Sequence, residues 1–277
     1  MKIDSHQHFW KFNIRDYGWI THEMNVIKRD FLPDDLQEEL KKNNFDGSVA
    51  VQARQTLEET EWLLQLSDRY SFIKGVVGWV DLRSTQLERQ LDAFASHPRF
   101  VGVRHVIQDE PDDEFILSDV FRQGIKVLEK YNLVYDILIF QKHLPQTIEF
   151  VRKFPGITFV LDHIAKPLIK QKVISPWKER LIELAKLPNV YCKISGMVTE
   201  ADWFQWKKED FIPYLDIVFN AFGTDRVMIG SDWPVCLLAG KYDKIINIVS
   251  AYMADFSEHE KKAVFGENAV KVYKLEK

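Results

Sequence analysis

The sequence opens on Met1-Lys-Ile-Asp-Ser-His-Gln-His-Phe-Trp10, in which a short apolar segment leads directly into His6 and His8. Alternate side chains of a β-strand point to the same face, so these two histidines can converge on one point. Two imidazoles at one point suit a divalent metal ion or a polarised substrate oxygen. An isolated pair of this kind is also compatible with one core histidine and one surface histidine, so the rest of the chain must decide.

Apolar runs rich in β-branched residues recur along the chain and predict eight strands. The predicted strands are Lys2–Ser5, Gly47–Gln52, Ile73–Trp79, Phe100–Val106, Leu133–Leu138, Thr158–Leu161, Val190–Ile194 and Val227–Ile229. Segments with helical spacing of apolar residues lie between them or follow the last one. The predicted helices are Asp34–Lys42, Thr56–Tyr70, Thr85–Ser96, Ser118–Tyr131, Pro145–Phe154, Pro176–Leu187, Phe211–Phe222 and Tyr242–Met253. Strand and helix therefore alternate throughout.

This alternation predicts an α/β fold. Near-continuously apolar strands separated by helices imply a parallel sheet covered on both faces, and eight such units fit a closed (β/α)8 TIM barrel. We expect a single domain spanning residues 1–277, because no change in composition marks a boundary. A doubly wound open sheet is the alternative. It usually carries a glycine-rich phosphate-binding turn, and neither GxGxxG nor GxxxxGKS/T occurs here.

The composition excludes several classes of protein. Hydrophobic residues make up 46% and charged residues 28%, a globular balance, and the formal net charge of −4 provides no basic footprint for nucleic acid. No apolar run approaches the roughly 18 residues of a membrane span. The charges at Lys2 and Asp4 come too early for a signal peptide, and Cys192 and Cys236 are the two cysteines. We therefore expect a cytoplasmic protein without structural disulfides.

In a barrel of this kind the active site forms at the carboxyl ends of the strands, so the residues there indicate the chemistry. The predicted strand ends supply His6 and His8, Gln52 and Arg54, Trp79 and Asp81, Arg104 and His105, Asp162 and His163, Lys193 and Ser195, and Ser231, Asp232 and Trp233. Four of the eight histidines of the chain lie at these positions. Histidines together with a carboxylate after the last strand are typical of hydrolases.

Several segments in a fixed order resemble one known family. They are DSHQHFW at Asp4–Trp10, VQA at Val51–Ala53, GWVDL at Gly78–Leu82, VGVRH at Val101–His105, LDHIAKP at Leu161–Pro167, KISGM at Lys193–Met197 and IGSDWPV at Ile229–Val235. The set resembles the amidohydrolase superfamily, and within it the sugar-lactone branch of L-fuconolactonases, L-rhamnonolactonases and 2-pyrone-4,6-dicarboxylate lactonase. The likeness runs from residue 4 to about 270. An HxH motif alone is weak, whereas the ordered set is specific.

This resemblance implies a (β/α)8 hydrolase whose reacting centre consists of His6, His8, His163 and Asp232. It implies that Asp232 takes a proton from the attacking water, while the histidines or a bound metal polarise the lactone carbonyl. Asp232 and His163 also have a purely structural interpretation. Asp232 could cap the segment that follows the last strand, and His163 could be a hydrogen-bonded core histidine.

The resemblance leaves the metal open. Family members with two ions place a bridging Lys or Glu at strand four and a His at strand five, where this chain has Arg104-His105 and Tyr135-Asp136. We therefore expect no two-metal site. A single zinc or manganese ion is the interpretation that we prefer, and a metal-independent enzyme is the alternative. The ligands of that ion would be His6, His8, His163 and Asp232.

Further residues at the strand ends are candidate substrate contacts. They are Gln52, Arg54, Trp79, Arg104, His105 and Trp233. Arg104 and His105 face opposite sides of their strand, so one of them enters the barrel mouth unless a bulge intervenes. We favour Arg104, whose guanidinium group can hold carboxylate or hydroxyl oxygens bidentately.

Some of these residues also have a structural interpretation. Trp79 and Trp233 could be core aromatics rather than substrate platforms. Arg54, Lys166 and Lys193 are cations near predicted strand ends, and each could be a solvated surface charge. Among these three cations we favour Arg54 for binding.

The sequence therefore predicts a hydrolase that opens a small sugar-acid lactone, such as L-fucono- or L-rhamnonolactone, with Asp232 as general base. A decarboxylase of a small carboxylic acid on the same scaffold is one alternative. A catalytically silent barrel that only binds a sugar acid is another. The expected partner is a small molecule rather than nucleic acid or a membrane. The identity of the lactone and the oligomeric state depend on loops and surfaces that these patterns do not specify.

Overall fold

Eight parallel strands form the centre of the protein in a computed structural model that describes residues 1–275. Each strand is hydrogen-bonded to its sequence neighbours, so the strands follow chain order around the sheet. They are β1 Ile3–Gln7, β2 Gly47–Val51, β3 Ile73–Gly78, β4 Phe100–Val106, β5 Val134–Leu138, β6 Phe159–Leu161, β7 Val190–Ile194 and β8 Val227–Ile229. The predicted α/β fold and (β/α)8 barrel are confirmed, and each predicted strand is found within two residues of its expected ends. The expectation of one domain over residues 1–277 stays a prediction, and its last two residues lie outside the described part.

The barrel closes where the first and last strands meet. Gln7 and Trp233 form a parallel bridge. Beside it, the amide of His8 donates to the carbonyl of Trp233 at 2.7 Å, and the amide of Asp232 donates to the carbonyl of His6 at 2.8 Å. Closure therefore places the histidine pair of β1 directly beside the segment that follows β8.

Helices follow the strands and cover the outside of the barrel. The eight predicted ones are α1 Pro33–Lys42, α2 Leu57–Arg69, α3 Leu87–Ala95, α4 Asp119–Tyr131, α5 Leu144–Arg152, α6 Trp177–Ala185, α7 Ile212–Phe222 and α8 Tyr242–Tyr252. Three further segments are α9 Glu258–Lys262, a π-helical turn Ala263–Glu267 and α10 Asn268–Tyr273. Within residues 1–275, none of these helices is long and apolar enough to cross a membrane.

Two buried apolar layers hold the elements together. The larger one fills the space between strands and helices and contains Phe150, whose ring contacts those of Phe121 and Phe159. The smaller one includes valines of β2, β3, β5 and β6 and side chains of α10, among them Tyr273. The last described helix therefore packs against the interior of the barrel, where its tyrosine reaches a buried carboxylate described below.

The long connection after β1 packs over the barrel through aromatic side chains. Trp10 pairs with Phe31 through two backbone hydrogen bonds of 2.9 and 3.0 Å, and its ring contacts those of Tyr17, Trp19 and Phe31. Its indole N–H donates to the carbonyl of Arg29 at 2.9 Å. These contacts make the connection a packed loop at the carboxyl end of the barrel.

Replacing Phe150 with Ala tests the outer layer. Phe150 is completely buried, so we expect the free energy of unfolding to fall by about 3–5 kcal/mol through lost contacts and a residual cavity. The same substitution at Phe204, which is 87% exposed, should change it by less than about 0.5 kcal/mol. Urea unfolding followed by circular dichroism measures both. Equal losses in the two variants would contradict this assignment of the core.

Candidate active site

The histidines of β1 converge as their alternation in the strand predicts. Nε2 of His6 lies 3.2 Å from Nε2 of His8. Nδ1 of His8 contacts the carbonyl oxygen of Val51 at 2.8 Å. Because a carbonyl can only accept, this nitrogen carries a proton, and Nε2 of His8 faces the site.

Asp232 lies in the segment after β8 and completes the group with the histidines of β1. Its Oδ1 lies 3.3 Å from Nε2 of His8, 3.8 Å from Nε2 of His6 and 4.0 Å from Nε2 of His163. Asp232 has φ of +58°, a conformation that is uncommon for a residue with a side chain. The structure thus brings all four predicted residues of the reacting centre together.

Asp4, a buried carboxylate on β1, fixes the backbone next to Asp232. It accepts hydrogen bonds from the amide and hydroxyl of Ser231 at 2.8 and 2.6 Å, and from the hydroxyl of Tyr242 at 2.9 Å. Since Ser231 directly precedes Asp232, this network ties the position of the Asp232 carboxylate to the first strand.

A left-handed turn presents His163. Four consecutive residues from His163 to Lys166 have φ between +48° and +61°. Such a run is costly for residues with side chains, and strain of this kind concentrates at functional sites. Nδ1 of His163 contacts the hydroxyl of Ser195 at 2.8 Å, which leaves Nε2 facing Asp232.

Burial and charge set the protonation of this group. Burial alone would raise the pKa of Asp232, but His163 and the contact with His8 outweigh it and hold that pKa well below its usual range. Burial lowers the pKa of His163 to about 4, and it lowers that of His6 well below the ordinary histidine value. At neutral pH the carboxylate of Asp232 therefore lies beside neutral His6 and His163.

Buried charges lie behind His6. Asp162 is completely buried, with Oδ1 3.2 Å from Nδ1 of His6 and 3.2 Å from Nζ of Lys193. Its Oδ2 accepts from Nη1 of Arg104 at 2.9 Å. Nζ of Lys193 also donates to Asp136 at 2.5 Å. Two cations and two carboxylates thus balance beneath the histidines.

Sequence reasoning missed part of this buried group. Lys193 was interpreted as a possible surface cation, yet it is completely buried. Asp136 received no role, although a lone carboxylate in the middle of the apolar strand β5 was a usable signal. A charged residue inside an apolar strand is rare unless it is paired in the interior.

The donor set fits a single metal ion. In a tetrahedral zinc site with bonds of about 2.0–2.1 Å, ligand atoms lie roughly 3.3 Å apart. Nε2 of His6, Nε2 of His8 and Oδ1 of Asp232 are separated by 3.2, 3.3 and 3.8 Å. All three of these donors are buried. His163 lies next to them, with Nε2 4.0 Å from Oδ1 of Asp232, but its donor atom groups with those of His6 and Asp162. The geometry therefore supports His6, His8 and Asp232 as ligands of one ion, and a ligand role of His163 stays a prediction.

Arg104 and Gln52 lie against this group. Nη1 of Arg104 is 3.4 Å from Nε2 of His6. The guanidinium group also donates to the backbone carbonyl of Gln52 and, at 2.8 and 3.2 Å, to its side-chain oxygen. Nε2 of Gln52 is buried without a partner among the described residues, so it is a free donor beside the centre.

The next residue along β4, His105, points away from the centre. Its ring stacks on Phe115 with centroids 5.1 Å apart, and its Nε2 contacts Glu110 at 2.6 Å. The indole N–H of Trp79 donates to its Nδ1 at 3.4 Å. Strand alternation sends Arg104 inward and His105 outward, so of these two we retain only Arg104 as a candidate substrate contact.

Two further candidate contacts, Arg54 and Trp233, lie at the margin of the group formed by the histidines and Asp232. Arg54 is half-buried and pairs with Asp16 of the long loop at 3.3 Å. Trp233 is buried and packs edge-on against Phe9 and Phe31. Arg54 therefore joins the strand end to the covering loop, while Trp233 packs within the aromatic core beneath that loop.

A glycine permits the close approach of His163. Gly196 has φ of +59°, and a Cβ there would lie 2.6 Å from Nδ1 of the His163 ring. Gly223 has a similar φ of +66° but nothing within 4 Å of its Cβ position. The two glycines share a positive φ and differ in the contact.

We expect Gly196→Ala to displace the His163 ring, because a Cβ there would lie 2.6 Å from Nδ1 of that ring. Gly223→Ala also places a side chain at positive φ, but nothing lies within 4 Å of its Cβ position, so it should leave His163 in place. Crystal structures of the two variants measure the position of the ring, and an unmoved His163 in Gly196→Ala would contradict the expectation.

Comparison with known proteins adds to this geometry. A family model described as amidohydrolase matches residues 3–275. An L-fucono-1,5-lactonase of Burkholderia multivorans is 39% identical, over 99% of this chain and 96% of that protein. An L-rhamnono-gamma-lactonase of Scheffersomyces stipitis is 24% identical, over 63% of this chain and 59% of its own length.

Solved structures agree with the same assignment. The crystal structure of an amidohydrolase from Burkholderia multivorans with bound zinc has a TM-score of 0.97 at 39% identity, with 100% of both chains covered. A probable 2-pyrone-4,6-dicarboxylic acid hydrolase from Acinetobacter baumannii shares the fold, with a TM-score of 0.78 at 16% identity. The family model covers almost the whole chain, and the chain belongs to the amidohydrolase family.

Proposed function

We propose that this protein is a hydrolase that opens a small sugar-acid lactone, such as L-fucono- or L-rhamnonolactone, to the free acid. The observation that carries the proposal is the position of Oδ1 of Asp232, which faces three imidazole nitrogens at 3.3–4.0 Å. The 39% identity to an L-fucono-1,5-lactonase over nearly the whole chain supports this substrate class over decarboxylation or silent binding.

In this proposal Asp232 is the general base. Its low pKa keeps it ionised at neutral pH, so it can accept a proton from a water that attacks the carbonyl carbon of the lactone. The carbonyl oxygen becomes an oxyanion, which the guanidinium group of Arg104 and the nearby histidine donors stabilise. Collapse breaks the bond to the ring oxygen, and the proton held by Asp232 passes to that leaving oxygen.

The residues that would hold an ion are His6, His8, His163 and Asp232, and a bound zinc or manganese ion would supply Lewis-acid polarisation of the carbonyl. Gln52, Arg104, Arg54, Trp79 and Trp233 remain proposed substrate contacts. The free amide donor of Gln52 and the inward guanidinium group of Arg104 suit ring and hydroxyl oxygens of a sugar acid. A cytoplasmic location also remains a proposal, supported by two buried free cysteines.

We expect Asp232→Asn to remain folded and to lose kcat by roughly 10²–10⁴, because the amide keeps the shape of the side chain but cannot accept the proton. The exposed Asp225 provides the matched control, and Asp225→Asn should leave kcat unchanged. A pH-indicator assay on L-fucono- and L-rhamnonolactones gives the rates, and thermal unfolding checks the fold. Full activity in Asp232→Asn would remove the general-base role, whereas release of carbon dioxide would argue for a decarboxylase.

Chelation tests the ion. We expect one zinc or manganese ion per chain by elemental analysis, loss of lactone hydrolysis after dialysis against a chelator, and recovery when the ion is restored. His8→Ala should lose the ion while remaining folded. Full activity in protein shown to be free of metal would instead assign His6, His8 and His163 to donor roles.

A further inference from the structure

Glu59 is a buried carboxylate that the proposed reaction does not use. It lies in the first turn of α2 and is only 3% exposed. Its own amide donates to the hydroxyl of Thr56, the residue that caps this helix, at 3.2 Å. In a capping box the carboxylate would return to the amide of the cap residue. Here Oε2 reaches further back and accepts from the amides of Ala53 at 2.9 Å and Arg54 at 2.7 Å.

The peptide that joins Gln52 to Ala53 is held from both sides. Its N–H donates to Glu59, and its carbonyl oxygen accepts from Nη2 of Arg104. The guanidinium group also donates to the side-chain oxygen of Gln52 at 2.8 and 3.2 Å. An anion at the N–H and a cation at the carbonyl polarise one peptide in the same direction, so each hydrogen bond strengthens the other. A single peptide unit therefore links Glu59 to Arg104.

This link ends at two groups that face the reacting centre. Nη1 of Arg104 lies 3.4 Å from Nε2 of His6, and Nε2 of Gln52 is a buried donor without a partner among the described residues. Two backbone amides alone would need only a neutral acceptor, whereas a buried carboxylate is costly. The charge of Glu59 is therefore what the structural role of its side chain leaves unexplained.

We propose that Glu59 is a positioning residue, which acts through the peptide between Gln52 and Ala53 to hold the guanidinium group of Arg104 and the side chain of Gln52 in place for the lactone. The inference rests on the proposed function, in which Arg104 stabilises the oxyanion and Gln52 binds substrate oxygens. An amide at position 59 keeps an acceptor for the two N–H groups but removes the charge that polarises the peptide.

The charge of Glu59 depends on pH. Burial raises its pKa to about 7, although the two amide hydrogen bonds and the nearby guanidinium groups act in the opposite direction. Because the carboxylate is charged only above this pKa, the link to Arg104 is strongest there and weakens at lower pH. The titratable and charged groups that face Glu59 are Arg54 of the same connection, Arg104 of β4 and Tyr17 of the long loop.

Glu59→Gln tests the role of the charge, with Glu58→Gln as the matched control. Glu58 lies in the same turn of α2 and is exposed, so its replacement removes an equal charge away from the peptide. At a pH well above the pKa of Glu59, we expect Glu59→Gln to lower kcat/KM for the lactone roughly tenfold, the difference between a charged and a neutral acceptor. Glu58→Gln should leave kcat/KM unchanged.

The dependence on pH gives a readout that a merely structural role would not move. Below the pKa of Glu59 the wild-type carboxyl group is neutral as well, so the ratio of wild-type to Glu59→Gln kcat/KM should approach one. Other titrating groups are common to both proteins and cancel in this ratio. A ratio that does not change with pH would overturn the role of the charge.

The Arg104→Lys background tests whether Glu59 acts through Arg104. Lysine keeps the positive charge but lacks the planar fork that holds both oxygens of Gln52. We expect Glu59→Gln to lower kcat/KM less than about twofold in this background, because the link is already broken. An equal loss in both backgrounds would reject action through Arg104.

A measurement without substrate separates this inference from the proposed function. In nitrogen-15 NMR spectra the Nε–H of Arg104 is identified by the signal that Arg104→Lys loses. We expect this signal and the amide of Ala53 to shift in Glu59→Gln and to stay in place in Glu58→Gln. An unmoved Arg104 signal would overturn the inference even in a protein that hydrolyses lactones. Shifted signals in a protein that hydrolyses none would support the link and reject the proposed function.

Thermal unfolding checks that Glu59→Gln is folded. If it is not, the wild-type spectra still decide, because the signals of Ala53 and Arg104 should then move together, with one midpoint, as Glu59 is titrated. Movement of the Ala53 amide without Arg104 would overturn the inference.

Discussion

Closure between the first and last strands is the constraint on which the site depends. The hydrogen bonds between the His6 and Asp232 backbones and between those of His8 and Trp233 join segments more than 220 residues apart in the sequence. The same closure is reinforced by Asp4, which binds Ser231 and Tyr242. The carboxylate of Asp232 thus faces two histidines because the barrel is closed, and any opening of this seam would separate them.

Beneath the seam, the interior of the barrel holds a column of polar groups beside the apolar layer that the strand valines and α10 form. It runs from Tyr273 through Asp136 and Lys193 to His6, with Asp162 and Arg104 beside it. Burying an unpaired charge is expensive, so these residues are stable only as a balanced set. Because the charges are paired, their positions beneath the histidines are fixed. The pairing also explains why charged residues occur within otherwise apolar strands.

Much of the fold and of the reacting centre could be predicted from the sequence because both follow short-range rules. The spacing of the apolar residues predicted eight strands and eight helices. The alternation of side chains along β1 predicted that His6 and His8 converge. The buried position of Lys193 could not be predicted in this way, because its partners Asp136 and His6 come from distant strands. Only the closed barrel brings them within 3.1 Å of its ammonium group. The left-handed turn from His163 to Lys166 could not be predicted either, because it contains no glycine or asparagine, the residues that usually indicate this conformation.

The same arrangement also explains why the metal question could not be answered from residue types. His6, His8, His163 and Asp232 are equally suited to ligate an ion or to act as donors and base, so their identities leave both chemistries open. The surroundings of these residues are equally hidden in the sequence: Nδ1 of His6 lies 3.1 Å from Nζ of Lys193 and 3.2 Å from Oδ1 of Asp162. These contacts join strands that are far apart in the chain, so residue types alone do not predict them.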